Sequence, residues 1–426
     1  MKAKKDYGTF KDCFRAPVHR WFKYPAGYSY RLIQEKIREY SLGHGDLVLD
    51  PFVGSGTTLI EAMKEGIPSV GVEMHPFVAW VARVKTMWDI DPEELRARGD
   101  DLLANLDATS AKTSPDALPD LVRKCYSADN LRKLVSIRQA IEAMDCENGI
   151  KDFFRLALVD TLRTASSAGT SWPYIAPSKY QAKAAERDAL TEFRKTLSGM
   201  ITDLELVKSD YHGYARARPA IIEGDARNMA GVESGSVSFA ITSPPYLNNY
   251  DYADRTRLEM YFMGWASSWG EITDRVRDRL MIAATTQVRR SEFDPARPLS
   301  DGVREASFEV YEYLCGAIAK LGELRGQKPG KKSYDLMVAG YFNNMLRVLK
   351  EVRRCLKPGK DFVLVVGDSA PYGVHIPTDE LIGKLALGLG FRDYWIEVLR
   401  ARGEKWKNNA QRHKVPLREG IVTIKG

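Results

Sequence analysis

Cysteine is scarce in this sequence: Cys13, Cys125, Cys146, Cys315 and Cys355 are all there are in 426 residues, scattered, odd in number and without a CxxC pair. That pattern excludes a disulfide framework and the usual structural zinc site, and makes a reducing cytoplasm the expected compartment. No apolar run approaches the roughly 18 residues of a membrane span. The opening MKAKKDYGTFKDC has no apolar core for a signal peptide. There is no internal repeat and no low-complexity block. Nor is one sign of charge in large excess: 63 Lys and Arg against 56 Asp and Glu leave +7. Such a mild basic bias is compatible with a polyanionic partner and does not by itself indicate one. The remaining composition, 44% hydrophobic and 28% charged, argues against disorder. The length suits a catalytic core carrying insertions.

Residues 28–80 alternate helix, strand, Gly-rich loop, helix, strand and helix, the rhythm of a doubly wound parallel sheet. From about 90 to 215 the strand signal vanishes. LRKLVSIRQAIEAM, FFRLALVDTLRTA and the long run from KYQAKAAERDAL onward carry apolar residues at three-to-four spacing and read as helices. SAGTSWPYIAPSK interrupts them as a loop. Sheet rhythm returns in PAIIEGD and SVSFAITSPPY, gives way to helix over 250–355, and closes in DFVLVVGDS, YWIEVLRAR and EGIVTIKG. The expected organisation is an α/β core of residues 1–89, 216–265 and 350–426, with mostly helical insertions at 90–215 and 266–349.

Two motifs carry chemistry. In the first, an apolar strand ends at Asp50-Pro51-Phe52, turns through Val53-Gly54-Ser55-Gly56, and opens a helix at Thr57-Thr58. Gly54 and Gly56 let the backbone bend sharply and let a ligand approach where a Cβ would block it. Thr58 and Glu61 have the spacing of a capping box. A second strand ends in Glu73, about where such sheets hold a ribose diol. In the other motif, a hydrophobic strand delivers Ser243-Pro244-Pro245-Tyr246 to the carboxyl edge of the sheet. Prolines cannot pair within a sheet, so the strand stops there, and they fix the direction of the Ser243 hydroxyl and the neighbouring carbonyls. These are acceptors for an NH2 group, and Tyr246 is an aromatic on which a base can stack.

Together these motifs resemble those of the amino-methyltransferases of DNA, in which a Gly-rich cofactor loop is joined to a (D/N/S)PP(Y/F) tetrapeptide. SPPY is typical of the N4-cytosine branch, whereas the N6-adenine branch more often has DPPY or NPPY. The resemblance extends to Lys23–Ser29, including Tyr24, Pro25 and Ala26, similar to the segment that closes over the methionine end of the cofactor. It extends also to Gly224-Asp225-Ala226, whose Asp225 it implies at the adenine, and to a terminal strand at Arg418–Ile424. It covers roughly the first 80 residues, 220–265 and 355–426. It implies a methyltransferase-type, Rossmann-like sheet, S-adenosylmethionine as cofactor, no metal, and double-stranded DNA as partner, with a cognate restriction endonuclease acting separately. One feature departs from the family's usual permuted orders: the cofactor loop precedes the tetrapeptide, and the largest insertion falls between the second and third strands.

The implied reaction is transfer of a methyl group to a conjugated exocyclic amine. Hydrogen bonds to the Ser243 hydroxyl and the Pro244 carbonyl would localise the lone pair and aim it, so positioning supplies much of the acceleration. A duplex hides the amine, so the base must be flipped out. Beyond the tetrapeptide, Tyr250 and Tyr252 are candidates to clamp that base, and Asn249 or Asp251 to read its edge; the competing reading is a helix lead-in capped by Asp254. Ser171-Trp172-Pro173-Tyr174 with Lys179 is a candidate DNA-touching loop. Arg275, Arg277, Arg279, Arg289, Arg290, Lys328, Lys331 and Lys332 form the most basic stretch, read as phosphate contacts against a merely solvated face. His19, His44 and His375 read as structural, His75 as local packing, and Asp368 and Ser369 as candidate site lining. Methylation of adenine N6, methylation of a guanine amine in RNA, and an inactive binding module that keeps the fold stay open as alternatives.

Overall fold

A computed structural model of the protein describes residues 4–106, 117–168, 170–171, 174–175, 177, 186–294, 296–327, 330–402 and 415–426. Its strands, in chain order, are β1 (Val48–Asp50), β2 (Ser69–Glu73), β3 (Thr170–Ser171), β4 (Tyr174–Ile175), β5 (Ala220–Glu223), β6 (Phe239–Thr242), β7 (Phe362–Gly367), β8 (Asp393–Arg402) and β9 (Leu417–Lys425). Seven form one sheet in the order β5-β2-β1-β6-β7-β9-β8. Pairing is parallel from β5 to β7, and β9 runs antiparallel to both β7 and β8. This is the mostly parallel α/β sheet of a methyltransferase-type fold.

The inner strands β1, β2, β6 and β7 are buried on both faces, which is why they read as continuous apolar runs, whereas the edge strands β5 and β8 are partly exposed. Along β7, Phe362, Leu364 and Val366 join a core under the helices Asp301–Ala306, Phe308–Gln327 and Tyr334–Cys355. Val363 and Val365, pointing the other way, pack with Leu32, Ile33 and Ile37 of helix α1 (Tyr30–Glu39). A third core unites α3 (Pro76–Lys85) with the helices Ala128–Ala143, Asn148–Thr164 and Ala189–Asp210. The stretch read as a loop around SAGTSWPYIAPSK contains the two-residue pairing of β3 with β4. Trp172, Pro173, Lys179 and Lys328 lie outside the described residues.

The chain leaves β1 toward β2 and β5, then returns across β1 to β6, so the strand order reverses between β1 and β6. Crevices outside the carboxyl ends of strands form at such switch points. Asp50 ends β1 and Ser243 follows β6, and the two motifs therefore meet at the reversal.

Candidate active site

The Gly-rich turn places its glycines in left-handed backbone, Gly54 at φ +52° and Gly56 at φ +90°, where a side chain would be strained. Gly56 is the residue before helix α2 (Thr57–Lys64) and makes no side-chain cap. The capping box expected from Thr58 and Glu61 does not form, because both side chains have stronger partners in the core. Glu61 binds His19 at 2.7 Å and Lys64 at 2.6 Å, a buried cluster in which His19 is structural. Thr58 donates to Asp50 at 2.5 Å. Gly71 lets β2 pass beneath the turn: a Cβ there would lie 2.6 Å from Val53.

Asp50 is fully buried and ties the two motifs together. Its carboxylate accepts from the Phe52 N–H at 3.1 Å, the Tyr28 hydroxyl at 3.2 Å, Thr58, and the Thr242 hydroxyl at 2.6 Å. Thr242 immediately precedes Ser243, so one carboxylate fixes the cofactor turn relative to the tetrapeptide. Burial pushes the Asp50 carboxyl above the ordinary value despite these bonds. Asp50 does not line the cavity beside it.

That cavity runs along the carboxyl ends of β5, β2, β1 and β6. Of the residues singled out in the sequence, it brings together Tyr24 and Ala26; Pro51, Phe52, Gly54, Ser55 and Thr57; Glu73; Asp225 and Ala226; and Ser243, Pro245 and Tyr252. Gly56 instead faces Ala82 of α3, 3.5 Å from where its Cβ would be, while Thr58 and Pro244 are buried beside the cavity. Glu73 accepts the Gly54 N–H at 3.0 Å and the His75 N–H at 2.9 Å. Burial nonetheless pushes its carboxyl up to about 7. Asp225 is paired with Arg227, 2.8 Å away. The Ser55 hydroxyl is buried with no hydrogen-bond partner among the described residues.

The N-terminal segment that lies over this cavity is braced from the helical side. Arg255 donates to the Lys23 carbonyl at 2.7 Å, and the Lys23 ammonium reaches Asp160 at 3.0 Å. Arg255 in turn shares the buried Glu259 with Arg163. His75 is buried, its ring bonded to Thr256 at 2.7 Å and held below the ordinary histidine range, at about 3, by desolvation.

A second cavity adjoins the first through Ala26, Gly27 and Tyr252. It takes in Pro25, Tyr246 and Asn249, and from the closing hairpin Arg400, Arg402 and Glu419. The Tyr246 ring is buried, with the Arg402 guanidinium 5.2 Å from its centroid. Tyr250 is buried against Tyr252, ring centroids 4.7 Å apart.

Other expectations are corrected. Asp251 cannot read a base edge: it is buried, ion-paired to Arg277 at 2.6 Å, bonded to Thr286, and it caps the helix Tyr252–Arg255. The cap is thus Asp251 and not Asp254, and Arg277 is bound to it and stacked on Trp269 rather than offered to phosphate. Arg289 and Arg290 keep their exposure at the surface, where Arg289 pairs with Asp278 and Arg290 donates to Ser333 and to the Lys331 carbonyl. Asp368 and Ser369 are buried and line neither cavity; Asp368 bonds His375 at 3.1 Å. Sequence reading passed over Arg400, Arg402 and Glu419. The signal was present in EVLRAR, whose arginines two apart on a strand share a face, and in the acid of the facing strand.

Residues 2–82 match the N6/N4 methyltransferase family model described as DNA methylase. The type II methyltransferase M.BsoBI of Geobacillus stearothermophilus is 25% identical over 439 residues, covering 95% of this chain and 85% of that protein. M.AvaI of Nostoc sp. is 25% identical across 90% of this chain and 81% of its own. M.MvaI of Kocuria varians is 23% identical across 86% and 80%. The chain is thus similar to the N6/N4 DNA methylases over its first 82 residues and to these type II methyltransferases along most of its length; the DNA methylase family uses S-adenosylmethionine.

Proposed function

We propose that this chain is an S-adenosylmethionine-dependent DNA methyltransferase, acting on the N4 amine of a flipped-out cytosine as the modification enzyme of a restriction–modification system. The observation that carries the proposal is the convergence of the glycine turn and the Ser243–Tyr246 tetrapeptide on one cavity at the reversal of strand order. The residues present fit the cofactor. Glu73 and Asp225, at neighbouring strand ends, offer carboxylates to a ribose diol and an adenine amine, and the unpartnered Ser55 hydroxyl leaves a buried polar group for a ligand to satisfy. S-adenosylmethionine supplies an electrophilic methyl on a positively charged sulfur.

The chain's own groups do the rest. Ser243 and the Pro244 carbonyl orient the amine toward the cofactor cavity, and Pro244-Pro245 holds them there without a conformational search. Tyr252, which lines both cavities, is a surface on which the extruded base can rest; stacking of this kind contributes roughly 1–3 kcal/mol. The helical segments 90–215 and 266–349 are assigned to DNA contact, with Arg289 and Arg290 on the phosphates. A cytoplasmic location goes with this activity.

Cytosine is favoured by the serine of SPPY. Mass spectrometry of nucleosides from unmodified DNA incubated with the protein and labelled S-adenosylmethionine tests both levels of the proposal. N4-methylcytosine is the expected product. N6-methyladenine alone would overturn the base assignment, and no labelled nucleoside would overturn the activity.

A further inference from the structure

This inference rests on the methyl-transfer reading above and concerns a step that reading leaves open. An amine nitrogen that takes a methyl group becomes positively charged and strongly acidic, and its proton has to leave. Ser243 is a poor base at neutral pH. The carboxylates lining the two cavities are Glu73, Asp225 and Glu419. The first two lie at the ends of β2 and β5, on the side given to the cofactor. Among the described residues, Glu419 alone belongs to the second cavity.

The structure builds Glu419 into place. A register shift between Val398 and Arg400 in β8 sets Arg400 opposite Glu419 of β9; bulges of this kind re-aim side chains beside active sites. Arg400 then donates to Glu419 Oε2 at 2.6 Å, leaving the other oxygen without that partner. The carboxylate is 2% exposed, and the backbone at Gly8 covers it so closely that a Cβ there would lie 2.2 Å from Oε2. Besides Arg400, the charged groups lining this cavity are Arg402 and Lys11. Between Glu419 and Ser243 stands the Tyr246 hydroxyl. It is buried and within interaction distance of both. Burial, with the charge of Glu419 adding to it, holds the phenol well above its ordinary value, so it remains a neutral hydroxyl able to donate and accept at once.

We propose that Ser243, Tyr246 and Glu419 form a proton relay, with Glu419 the terminal acceptor of the proton displaced from the target amine. The new N–C bond forms as the C–S bond of the donor breaks. The proton on nitrogen passes to the Ser243 oxygen, the serine's own proton to the Tyr246 oxygen, and the phenolic proton to Glu419, which ends as the neutral acid. Tyr246 and Glu419 act through Ser243 and touch neither cofactor nor the reacting nitrogen.

The test is single-turnover methylation of unmodified high-complexity DNA with tritiated S-adenosylmethionine, using the full chain and the variants E419Q, Y246F and the double variant. Each single change should slow the rate about 100-fold, the low end for a positioned proton transfer, with cofactor affinity unchanged in calorimetry. The double variant should be no slower than either single one, because links in series fail together. The parent should also show a solvent deuterium isotope effect on this rate that E419Q loses, a readout that a packing role would leave intact. An E419Q rate within twofold of the parent, or multiplying defects in the double variant, overturns the relay. Should E419Q fail to bind cofactor, Y246F, which removes one oxygen and keeps the ring, decides alone: a parental rate refutes the proposal. A parent chain that methylates no DNA base would instead overturn the activity itself, a result distinct from an active parent with an untouched E419Q.

Discussion

In and beside the first cavity the polar groups are fixed by the turns that carry them. Glu73 is gripped by two main-chain N–H groups, and Asp50 by one N–H and three hydroxyls. In the neighbouring cavity the polar groups are long side chains held by one another across distant segments. Arg400 meets Glu419, Arg402 lies over Tyr246 and donates to the Asp368 carbonyl at 2.9 Å, and the N-terminal segment covers them. The first arrangement is set before any ligand arrives, which is what electrostatic preorganisation requires. The second consists of groups with several rotamers, able to re-form around a base brought in from a duplex. Damage to the first should therefore appear as lost stability or lost cofactor, and damage to the second as lost rate or capture.

The largest effect is expected at Ser243, which lines the first cavity. In the proposed reaction Ser243 interacts with the amine most strongly as its lone pair localises, so the contact belongs to the transition state more than to the ground state. Ser243→Ala should lower the single-turnover methylation rate by about 10²–10³-fold, the scale of one lost transition-state hydrogen bond, with cofactor and DNA affinities nearly kept. A parental rate would leave the tetrapeptide as scaffold.

A smaller effect separates the two constructions by stability. Asp50→Asn removes the charge and turns one acceptor oxygen into a donor facing hydroxyls that already donate. It should cost about 2–4 kcal/mol, read as a lowered urea midpoint. Arg402→Met, which keeps the contact with Tyr246 and loses a partly exposed charge and its bond to the Asp368 carbonyl, should cost about 1 kcal/mol. Equal losses from the two variants would erase the distinction between them.

The same difference decides what was legible in the sequence. The sheet could be read because its inner strands are buried on both faces and its motifs are contiguous: the turn from Asp50 to Thr58 and the run from Ser243 to Tyr246 each carry their geometry in neighbouring residues. Glu73 and Asp225 could be placed because strand ends in such a sheet converge. The second cavity could not be assembled this way. Glu419 meets Tyr246 only after β9 inserts beside β7, and the register shift that brings Arg400 to Glu419 leaves no local mark in EVLRAR. Asp251 shows the opposite error. Its position after the tetrapeptide suggested a role with the base, whereas Arg277, from a segment read as phosphate-binding, neutralises it in the interior. Thr58 and Glu61 had the spacing of a cap, but His19, Lys64 and Asp50 offered buried partners that outweigh a solvent-facing capping box.

The smallest predicted effect concerns Glu73 and tests whether the cofactor side is set in advance. Burial holds this carboxyl at about 7, above its ordinary 4.5. The folded chain therefore retains a proton that the unfolded chain releases between those values, and the contribution of Glu73 to stability declines as pH rises from about 4.5 to 7. Cofactor binding runs the other way. Ribose hydroxyls donate to a carboxylate and have nothing to gain from an acid already carrying its proton, so the ligand selects the ionised form. With a free-state value near 7, affinity for S-adenosylmethionine should be about tenfold weaker at pH 6 than at pH 8, and binding at pH 6 should release a proton. Calorimetry in buffers of different ionisation enthalpy measures both. Glu73→Gln should bind more weakly at every pH and lose this dependence, which separates Glu73 from the amino group of the ligand. Wild-type affinity that is flat across this range would mean that Glu73 is already ionised, held by Gly54 and His75 alone, or that it does not touch the cofactor. A slope that survives in Glu73→Gln would place the titrating group elsewhere.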